Sequence, residues 1–218
     1  MFELGIKFLI SYLLGSVMGA MVMGATRGVD IRTMGSGNAG GTNALRTQGK
    51  LFALGVIVID IGKGALAAGV IPGLALPLPP GDVPVPAGLL VFSCAAASVI
   101  GHVWPIYHQF RGGKGAATVI GTLTVLAPIV LVPMLTCWLL VVALFGFVGL
   151  ATMLGGIAGA AFVAATRMPP DAALFTYTAL CAAFMVYTHR SNIQRMRAGE
   201  EPQNTRLMFL RRSPGQAS

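Results

Sequence analysis

Three short polar clusters stand out in an otherwise apolar chain of 218 residues. The first, residues 35–46, begins Gly-Ser-Gly-Asn-Ala-Gly-Gly and ends at Arg46. A glycine-rich loop exposes backbone N–H groups, and with the start of a helix these groups form a cradle for a phosphate. The alternative is a flexible loop in which Ser36 or Thr42 caps a helix. This segment taken alone does not separate the two interpretations.

The second cluster, residues 110–118, places Lys114 in Gly-Gly-Lys-Gly at the predicted start of a helix. The lysine would lie beside exposed N–H groups at the positive end of a helix dipole, which suits an anion. It is not a Walker A loop, because Gly115 follows the lysine and His108 stands where that motif has its first glycine. We therefore do not predict an ATPase. The alternative is that Arg111 and Lys114 only follow the charge rule of membrane proteins.

The third cluster is Thr-His-Arg-Ser-Asn at residues 188–192. If the helix continues through it, His189 and Asn192 share one face. Histidine suits proton transfer near neutral pH, and asparagine can donate to a phosphate or orient a hydroxyl. A lone histidine is more often structural, so this cluster carries weight only together with the other two.

Two other patterns point away from catalysis. Gly35, Gly37 and Gly40 match a dinucleotide fingerprint, with Asp60 about twenty residues further on. We reject that interpretation, because no strand precedes the glycines and Asp60 lies in an apolar stretch. Asp60 and Lys63 lie one helical turn apart, and a structural ion pair is favoured over a direct substrate role.

Composition makes lipid the natural solvent of the chain. Hydrophobic residues make up 55% and charged residues only 10%, against about 25% charged residues in typical proteins. The net charge of +8 would suggest nucleic acid in a soluble protein, but its placement follows a membrane pattern, so no nucleic acid is expected. No metal or cofactor is expected either, because no cluster of His, Cys, Asp and Glu has ligand spacing. The cysteines stand singly and are predicted to be packing residues: Cys94, Cys137 and Cys181.

Seven apolar segments approach the roughly 20 residues that a membrane-spanning helix needs. The predicted fold is all-α and polytopic, with a single seven-helix domain over residues 1–193 and a basic tail over residues 194–218. A signal peptide begins with basic residues, whereas this chain has the acidic Glu3 there, so the first segment is expected to stay in the mature protein. The segments are 4–23, 51–71, 87–107, 116–133, two from 134–165 divided near Leu150, and 172–188.

The basic residues sort to one side of these segments. Lys7 and Arg167 lie on the opposite side, and Lys63 lies inside a span. The positive-inside rule then puts the N-terminus outside and the C-terminus in the cytoplasm. The loop over residues 72–86 is expected to be a stiff connector, and the tail either an amphipathic segment on anionic headgroups or a partly disordered chain. The cytoplasmic set is Arg27, Arg32, Arg46, Lys50, Arg111, Lys114, Arg190, Arg195, Arg197, Arg206, Arg211 and Arg212.

The three clusters, in this order, resemble the bacterial acyl-phosphate-dependent glycerol-3-phosphate acyltransferase family. The motifs are Ser-Gly-Asn-Ala-Gly-Gly-Thr-Asn, Gly-Gly-Lys-Gly and His-Arg-x-Asn, with Asp-x-x-Lys-Gly at residues 60–64. The resemblance covers essentially the whole chain. It implies transfer of a fatty acyl group from acyl phosphate to the 1-hydroxyl of glycerol 3-phosphate, giving lysophosphatidic acid and phosphate. It further implies a monomer in the bacterial inner membrane with its active site on the cytoplasmic face.

The resemblance also implies roles for single residues. Lys114 and Arg46 would hold phosphates, and Ser36 with the loop N–H groups would stabilise the oxyanion. His189 and Asn192 would position glycerol 3-phosphate, and whether His189 is also the base is open, since a substrate phosphate oxygen could take the proton. Ser36, Lys114, His189 and Asn192 are the expected catalytic residues. The expected substrate-binding residues are Gly35, Gly37, Asn38, Gly40, Thr42, Asn43, Arg46, Gly112, Gly113, Gly115 and Thr152.

The sequence departs from the family pattern at three places. Gly41 replaces Ala, Ala116 replaces Val, and residues 146–152 read Gly-Phe-Val-Gly-Leu-Ala-Thr instead of Arg-Tyr-Val-Ser-Leu-x-Ser. Only Thr152 keeps a hydroxyl there, which weakens the expectation that this loop contacts substrate. The commoner glycerolipid acyltransferase signature, His followed four residues later by Asp, fails at all three histidines.

The alternative function is a small transporter or channel for an organic anion. Transporter sites lie near the membrane midplane on broken helices and often accompany internal repeats. Here only the pair Asp60 and Lys63 is predicted to lie deep, and no repeat is visible. The motif set therefore favours the enzyme.

Overall fold

The structure is a computed structural model that describes residues 1–77, 79 and 81–208. Within these residues the regular structure is helical, with short 3-10 turns between some of the helices. The ten helices are α1 Phe2–Ser16, α2 Gly19–Ala25, α3 Gly41–Gln48, α4 Lys50–Gly69, α5 Ala87–Val103, α6 Ala116–Leu126, α7 Leu131–Phe145, α8 Val148–Arg167, α9 Ala172–Thr188 and α10 Arg190–Arg197.

Four segments of the described chain are long and apolar enough to cross a membrane, and the count rises to six if each of two bent pairs is one span. The bent pairs are α1 with α2, at 46°, and α9 with α10, at 50°. The expected helix over residues 172–188 coincides with α9. The four unbent candidates are Lys50–Gly73, Ala87–His108, Pro128–Phe145 and Val148–Arg167.

The segment expected to be the fourth span is interrupted. α6 has 11 residues and is about 16 Å long at 1.5 Å per residue, roughly half of the ~30 Å hydrocarbon core. It stops because Pro128 disfavours helical geometry at the residue before it, and Ala127 has an extended φ of −161°. The prediction of seven spanning helices is therefore not confirmed.

The boundary between the expected fifth and sixth helices was misplaced. α7 ends at Phe145 and α8 starts at Val148, so the break lies at residues 146–147 and not near Leu150. Gly146 has a φ of +72°, a left-handed conformation that glycine adopts without steric cost and that commonly ends a helix.

The chain divides into two compact units, Met1–Pro128 and a second that begins at Ile129. In the first unit α1 packs on α5, and α4 packs on α6. Glycines allow these close approaches, because a Cβ at Gly15 would overlap the Ser98 backbone and one at Gly64 would overlap the Thr118 carbonyl. The predicted single domain over residues 1–193 stays a prediction.

A buried cluster of charged side chains bonds to the backbone groups left free at the break between α1 and α2. Asp60 Oδ1 accepts a hydrogen bond from the Gly19 N–H at 3.1 Å, and Lys63 Nζ donates to the Val17 carbonyl at 2.8 Å. The two side chains pair at 2.9 Å, and His102 Nδ1 lies 2.8 Å from Lys63 Nζ. Lipid offers no water to backbone groups that lack partners. The cluster supplies those partners at the helix break, as expected of the structural ion pair favoured by the sequence.

The loop over residues 72–86 does more than connect two helices. Asp82 accepts from the backbone N–H groups of Phe2 and Glu3 at 3.1 and 3.0 Å, so it caps the start of α1. Lys7 Nζ donates to Glu3 at 2.7 Å and to the Pro72 carbonyl at 2.6 Å. The loop is thereby fixed to the first helix.

In the second unit α8 packs against both α7 and α9. The chain after α10 folds back on this unit: the Asn204 N–H donates to the Gly146 carbonyl at 2.8 Å, and Gln203 Nε2 donates to the Phe145 carbonyl at 3.4 Å. The first part of the expected tail is thus attached to the junction of α7 and α8. Phe209 and the residues after it lie outside the described part of the chain.

Candidate active site

The first glycine loop, residues 35–41, is shaped by Asn43. Its Oδ1 accepts from the Ser36 N–H at 3.0 Å, and its Nδ2 donates to the carbonyls of Ile31 and Met34 at 2.9 and 3.0 Å. The side chain is only 1% exposed. Asn43 therefore holds the backbone of the loop in shape, and its expected contact with substrate stays a prediction.

The start of α3 has no side-chain cap. Its N-cap residue is Gly40, and Ser36 and Thr42 are exposed, so the interpretation of either residue as a helix cap is wrong. Thr42 and Arg46 lie four residues apart on α3 and share a face, and Arg46 is also exposed. The N–H groups of the first turn and the helix dipole therefore favour an anion here.

The other residues of the loop lie directly before this helix start. Gly35 and Gly37 have φ values of +55° and +70°, which favour glycine. Asn38 is half-buried, and its Nδ2 lies 2.8 Å from the place where a Gly40 Cβ would stand. The loop can therefore bend sharply in front of α3.

The second glycine loop, residues 112–115, is docked on the end of α5. The Gly112 N–H donates to the Val103 carbonyl and the Gly113 N–H donates to the His102 carbonyl, both at 3.2 Å. Gly112 and Gly113 were expected to bind substrate. Their N–H groups bond to carbonyls of α5, and a contact of these glycines with substrate stays a prediction. They are glycines because a Cβ at either position would overlap α5 atoms.

Lys114 and Gly115 lie where that loop becomes α6. Gly115 is the N-cap residue with a φ of +87°, and no side chain caps this helix start. Lys114 is half-buried. A cation thus precedes a helix start that itself favours an anion.

The two glycine loops meet. The Ala39 carbonyl oxygen lies 3.1 Å from the place where a Gly113 Cβ would stand, and the His102 imidazole contacts the same place. The starts of α3 and α6 therefore approach one another within the first unit. His102 is 3% exposed and belongs to the Asp60 and Lys63 cluster.

Sequence reasoning missed the pair Asp30 and Arg32. Arg32 Nη2 donates to Asp30 Oδ2 at 2.7 Å, and Arg32 Nη1 donates to the carbonyls of His108 and Arg111 at 3.4 and 3.3 Å. The hydrogen bond between the Arg32 and Asp30 side chains lowers the pKa of the Asp30 carboxyl below its ordinary 3.8 and raises the pKa of Arg32. The sequence feature that could have predicted this pair is Asp-x-Arg, which stands shortly before the first glycine loop.

The third cluster lies in the second unit, at a bend. α9 ends at Thr188 and α10 begins at Arg190, so the helix does not continue straight through this cluster. His189 Nδ1 lies 2.7 Å from the Met185 carbonyl. A carbonyl can only accept, which places the ring proton on Nδ1 and leaves Nε2 as the acceptor nitrogen of the neutral ring. His189 and Asn192 are both buried.

Asn192 and Thr152 both make contacts within the second unit. Asn192 Nδ2 donates to Glu201 Oε1 at 2.6 Å, and Arg195 Nε donates to the other carboxylate oxygen at 2.7 Å. The Thr152 hydroxyl donates to the Val148 carbonyl at 2.9 Å and accepts from the Trp138 indole at 3.3 Å. Thr152 thus joins α7 to α8, and its expected contact with substrate stays a prediction.

Among the described residues, no group of three or more His, Cys, Asp and Glu is arranged to hold a metal ion. The three cysteines are free thiols, with Cys94 and Cys181 buried and Cys137 half-buried.

Residues 5–199 match the protein family described as glycerol-3-phosphate acyltransferase. The chain belongs to the glycerol-3-phosphate acyltransferase family. A relative of that name from Rhodospirillum rubrum is 42% identical over 199 residues, which cover 91% of this chain and 89% of the relative. Another relative of that name, from Salinibacter ruber, is 38% identical, and the match covers 93% of this chain and 93% of the relative. The family resemblance carried by the motifs is confirmed.

Solved structures agree with the family assignment. Crystal structures of PlsY, an integral membrane glycerol 3-phosphate acyltransferase, match 96% of this chain and 99% of their own. The glycerol 3-phosphate form aligns with a TM-score of 0.77 at 28% identity, and the lysophosphatidic acid form with 0.78 at 29%. The chain therefore has the all-helical fold of this family.

Proposed function

We propose that the protein is a membrane acyltransferase that moves a fatty acyl group from acyl phosphate to the 1-hydroxyl of glycerol 3-phosphate. The products are lysophosphatidic acid and inorganic phosphate. Family membership supports the acceptor and the reaction class, since the named relatives are glycerol-3-phosphate acyltransferases. The acyl-phosphate donor is proposed from the motif resemblance, and two loops that favour anions are compatible with it.

One observation carries this proposal: two helix starts without side-chain caps, α3 and α6, approach one another through the contact of Ala39 with Gly113. Each helix start favours an anion, and Lys114 adds a full positive charge. Two neighbouring anion sites fit a reaction in which donor and acceptor each bring a phosphate.

The proposed chemistry begins with the phosphate of the donor, which Lys114 and the start of α6 hold. The 1-hydroxyl oxygen of glycerol 3-phosphate attacks the acyl carbon, and charge develops on the carbonyl oxygen. Ser36 and the N–H groups at the start of α3 stabilise that oxyanion, an effect of about 3 kcal/mol per donor. The bond from the acyl carbon to the phosphate oxygen then breaks, and phosphate leaves.

From the family resemblance, we propose that Arg46 pairs with the acceptor phosphate as a bidentate fork. The same resemblance proposes His189 and Asn192, which lie in the second unit, as residues that position the acceptor hydroxyl. The hydroxyl proton passes either to a substrate phosphate oxygen or to His189 Nε2, and His189 is a binding residue in both cases. The other proposed substrate contacts are Gly35, Gly37, Asn38, Gly40, Thr42, Asn43, Gly112, Gly113, Gly115 and Thr152.

We further propose a monomer in the bacterial inner membrane, with the site on the cytoplasmic side. Hydrogen bonds that join segments predicted on the same side support this topology. Arg32 joins its own segment to His108, both predicted in the cytoplasm, and Asp82 joins the loop over residues 72–86 to the start of α1, both predicted outside. In the second unit Asn204 joins the tail to Gly146, both again predicted in the cytoplasm.

The test is an acyl-transfer assay on the purified protein in lipid, with palmitoyl phosphate and labelled glycerol 3-phosphate. Wild type should form lysophosphatidic acid, and Lys114→Ala should lower kcat/KM by about 100-fold or more, the usual effect of removing one such charge-stabilising group. Arg111→Ala is the matched control, because it removes an exposed positive charge three residues away and should keep activity within a few fold.

The contrary result is no product with acyl phosphates of any chain length while glycerol 3-phosphate still binds. Uptake of labelled glycerol 3-phosphate into sealed vesicles would then favour the transporter.

A further inference from the structure

Arg32 lies in the 3-10 turn Ile31–Thr33, directly before the first glycine loop. Its Nε donates to both oxygens of Asp30 at 3.0 and 3.1 Å, and its Nη2 donates to Oδ2 at 2.7 Å. Asp30 also accepts from the Arg32 backbone N–H at 2.9 Å, which caps the turn. The guanidinium plane is therefore fixed to the chain that leads into the first loop.

The remaining donor of the same guanidinium reaches the chain that leads into the second loop. Arg32 Nη1 donates to the carbonyls of His108 and Arg111. Between these two carbonyls, Gln109 and Phe110 have φ values of 56° and 58°. Two successive non-glycine residues in the left-handed region are uncommon, and such strain persists only where the surroundings hold it.

We propose that Arg32, held by Asp30, is a positioning residue that fixes the spacing between the two glycine loops. Arginine is needed because a planar guanidinium can bind a carboxylate with one edge and two carbonyls with another donor, which a lysine ammonium does not reproduce. This inference rests on the proposed function, because it assumes that the loops act on one reaction.

A positioning role predicts a particular kinetic effect. Each substrate phosphate binds mainly to one loop, whereas the transition state needs both loops at the correct spacing. Loss of the spacing should therefore lower kcat much more than it raises KM, since a misplacement of about 1 Å can cost about 100-fold in rate. A residue that merely stabilised the fold would lower the amount of folded enzyme and leave kcat per folded molecule unchanged.

The kinetic experiment compares wild type, Arg32→Ala and Arg32→Lys at saturating concentrations of both substrates, normalised to folded monodisperse protein. We expect kcat to fall by about 100-fold in both variants, with each KM changed less than about 3-fold. Arg27→Lys is the matched control, because Arg27 also donates to a backbone carbonyl, that of Gln48 at 3.0 Å, yet lies outside the link.

A double-mutant cycle tests the role of Asp30. Asp30→Asn combined with Arg32→Lys should cost little more than Arg32→Lys alone, because the two residues act as one unit. An unchanged kcat in Arg32→Lys would overturn the proposal, and so would a large rise in one KM at constant kcat, which would make Arg32 a substrate ligand.

A distance measurement separates this inference from the proposed function, because it needs no turnover. Spin labels at Leu45 and Tyr107, both exposed, would report on the loops in a variant without native cysteines. We expect a narrow distance distribution with Arg32 and a clearly broader one in Arg32→Lys. Equal distributions would overturn the inference even if wild type is a good acyltransferase, and a broadened one would sustain it even if wild type makes no lysophosphatidic acid.

Discussion

Single side chains in the glycine loops divide into those that can meet a substrate and those that hold the loops. Ser36 and Arg46 are exposed on the first loop and its helix, whereas Asn43 is buried under it. The sequence predicted the loops from glycine content and polar donors. It could not separate Asn43 from its neighbours, because the partners of an amide depend on where distant carbonyls fold.

The first prediction concerns Asn43. Asn43→Ala removes hydrogen bonds to three backbone groups, and we expect it to lower the free energy of unfolding by about 2–3 kcal/mol because buried groups lose their partners. Thermal unfolding in detergent measures this. Leu45→Ala, at an exposed position of the same helix, is the control and should change stability by less than about 0.5 kcal/mol. A loss equal to that of the control would contradict the structural role.

The second prediction concerns the pH dependence of Asp30. Its pKa is below the ordinary 3.8 because of the hydrogen bond from Arg32, with His108 a further nearby charge. A carboxyl with a lowered pKa stabilises the folded state fully above the unfolded pKa, and this contribution is lost as pH falls through the folded pKa. The stability difference between wild type and Asp30→Asn should shrink as the pH falls below 3.8.

Unfolding measured at a series of pH values for both proteins gives this difference directly. The control repeats the comparison in an Arg32→Gln background, because without the guanidinium the effect of Asp30→Asn on stability should be small at every pH. A difference that stays constant down to pH 3 would show that the ion pair does not stabilise the loop.

At the scale of helices, the apolar runs were predicted well and their continuity was not. The sequence located α4, α5 and α9 closely, because hydropathy measures the length of an apolar run. It did not show the breaks after Ser16 and Leu126, where the helices stop inside apolar sequence. A break is tolerated when other elements satisfy the freed backbone groups, and those partners are remote in sequence.

The third prediction concerns the break between α1 and α2. Lys63→Met leaves Asp60 as a buried charge without its lysine and the Val17 carbonyl without that donor. We expect a loss of about 3–5 kcal/mol. The double variant Asp60→Asn with Lys63→Gln should lose clearly less, because the amides are neutral and can still bond to Val17 and Gly19. Thermal unfolding of both variants decides between them, and equal losses would mean that the charge pairing is unimportant.

At the scale of the whole chain, the charge asymmetry predicted an orientation from a simple count of basic residues on either side. Hydrogen bonds within each unit join segments that this prediction puts on the same side. The orientation itself needs a membrane to test it, because no contact within the protein defines inside and outside.

The fourth prediction is therefore one of accessibility. In a variant without native cysteines, Val83→Cys should react with a membrane-impermeant maleimide added to spheroplasts, since Val83 is 65% exposed in the loop predicted outside. Gln109→Cys, exposed on the predicted cytoplasmic side, should react only after the membrane is opened. The reverse labelling pattern would invert the topology and place the glycine loops outside.

The shortness of α6 has a consequence for the lipid around it. A helix of 11 residues fits a thin hydrocarbon layer better than a thick one, so the bilayer must thin or the helix must be shielded there, at a modest cost for each ångström of mismatch. The mismatch would act directly on the glycine loop at the start of α6. Lipids with longer or shorter acyl chains would therefore impose different mismatch costs on this segment.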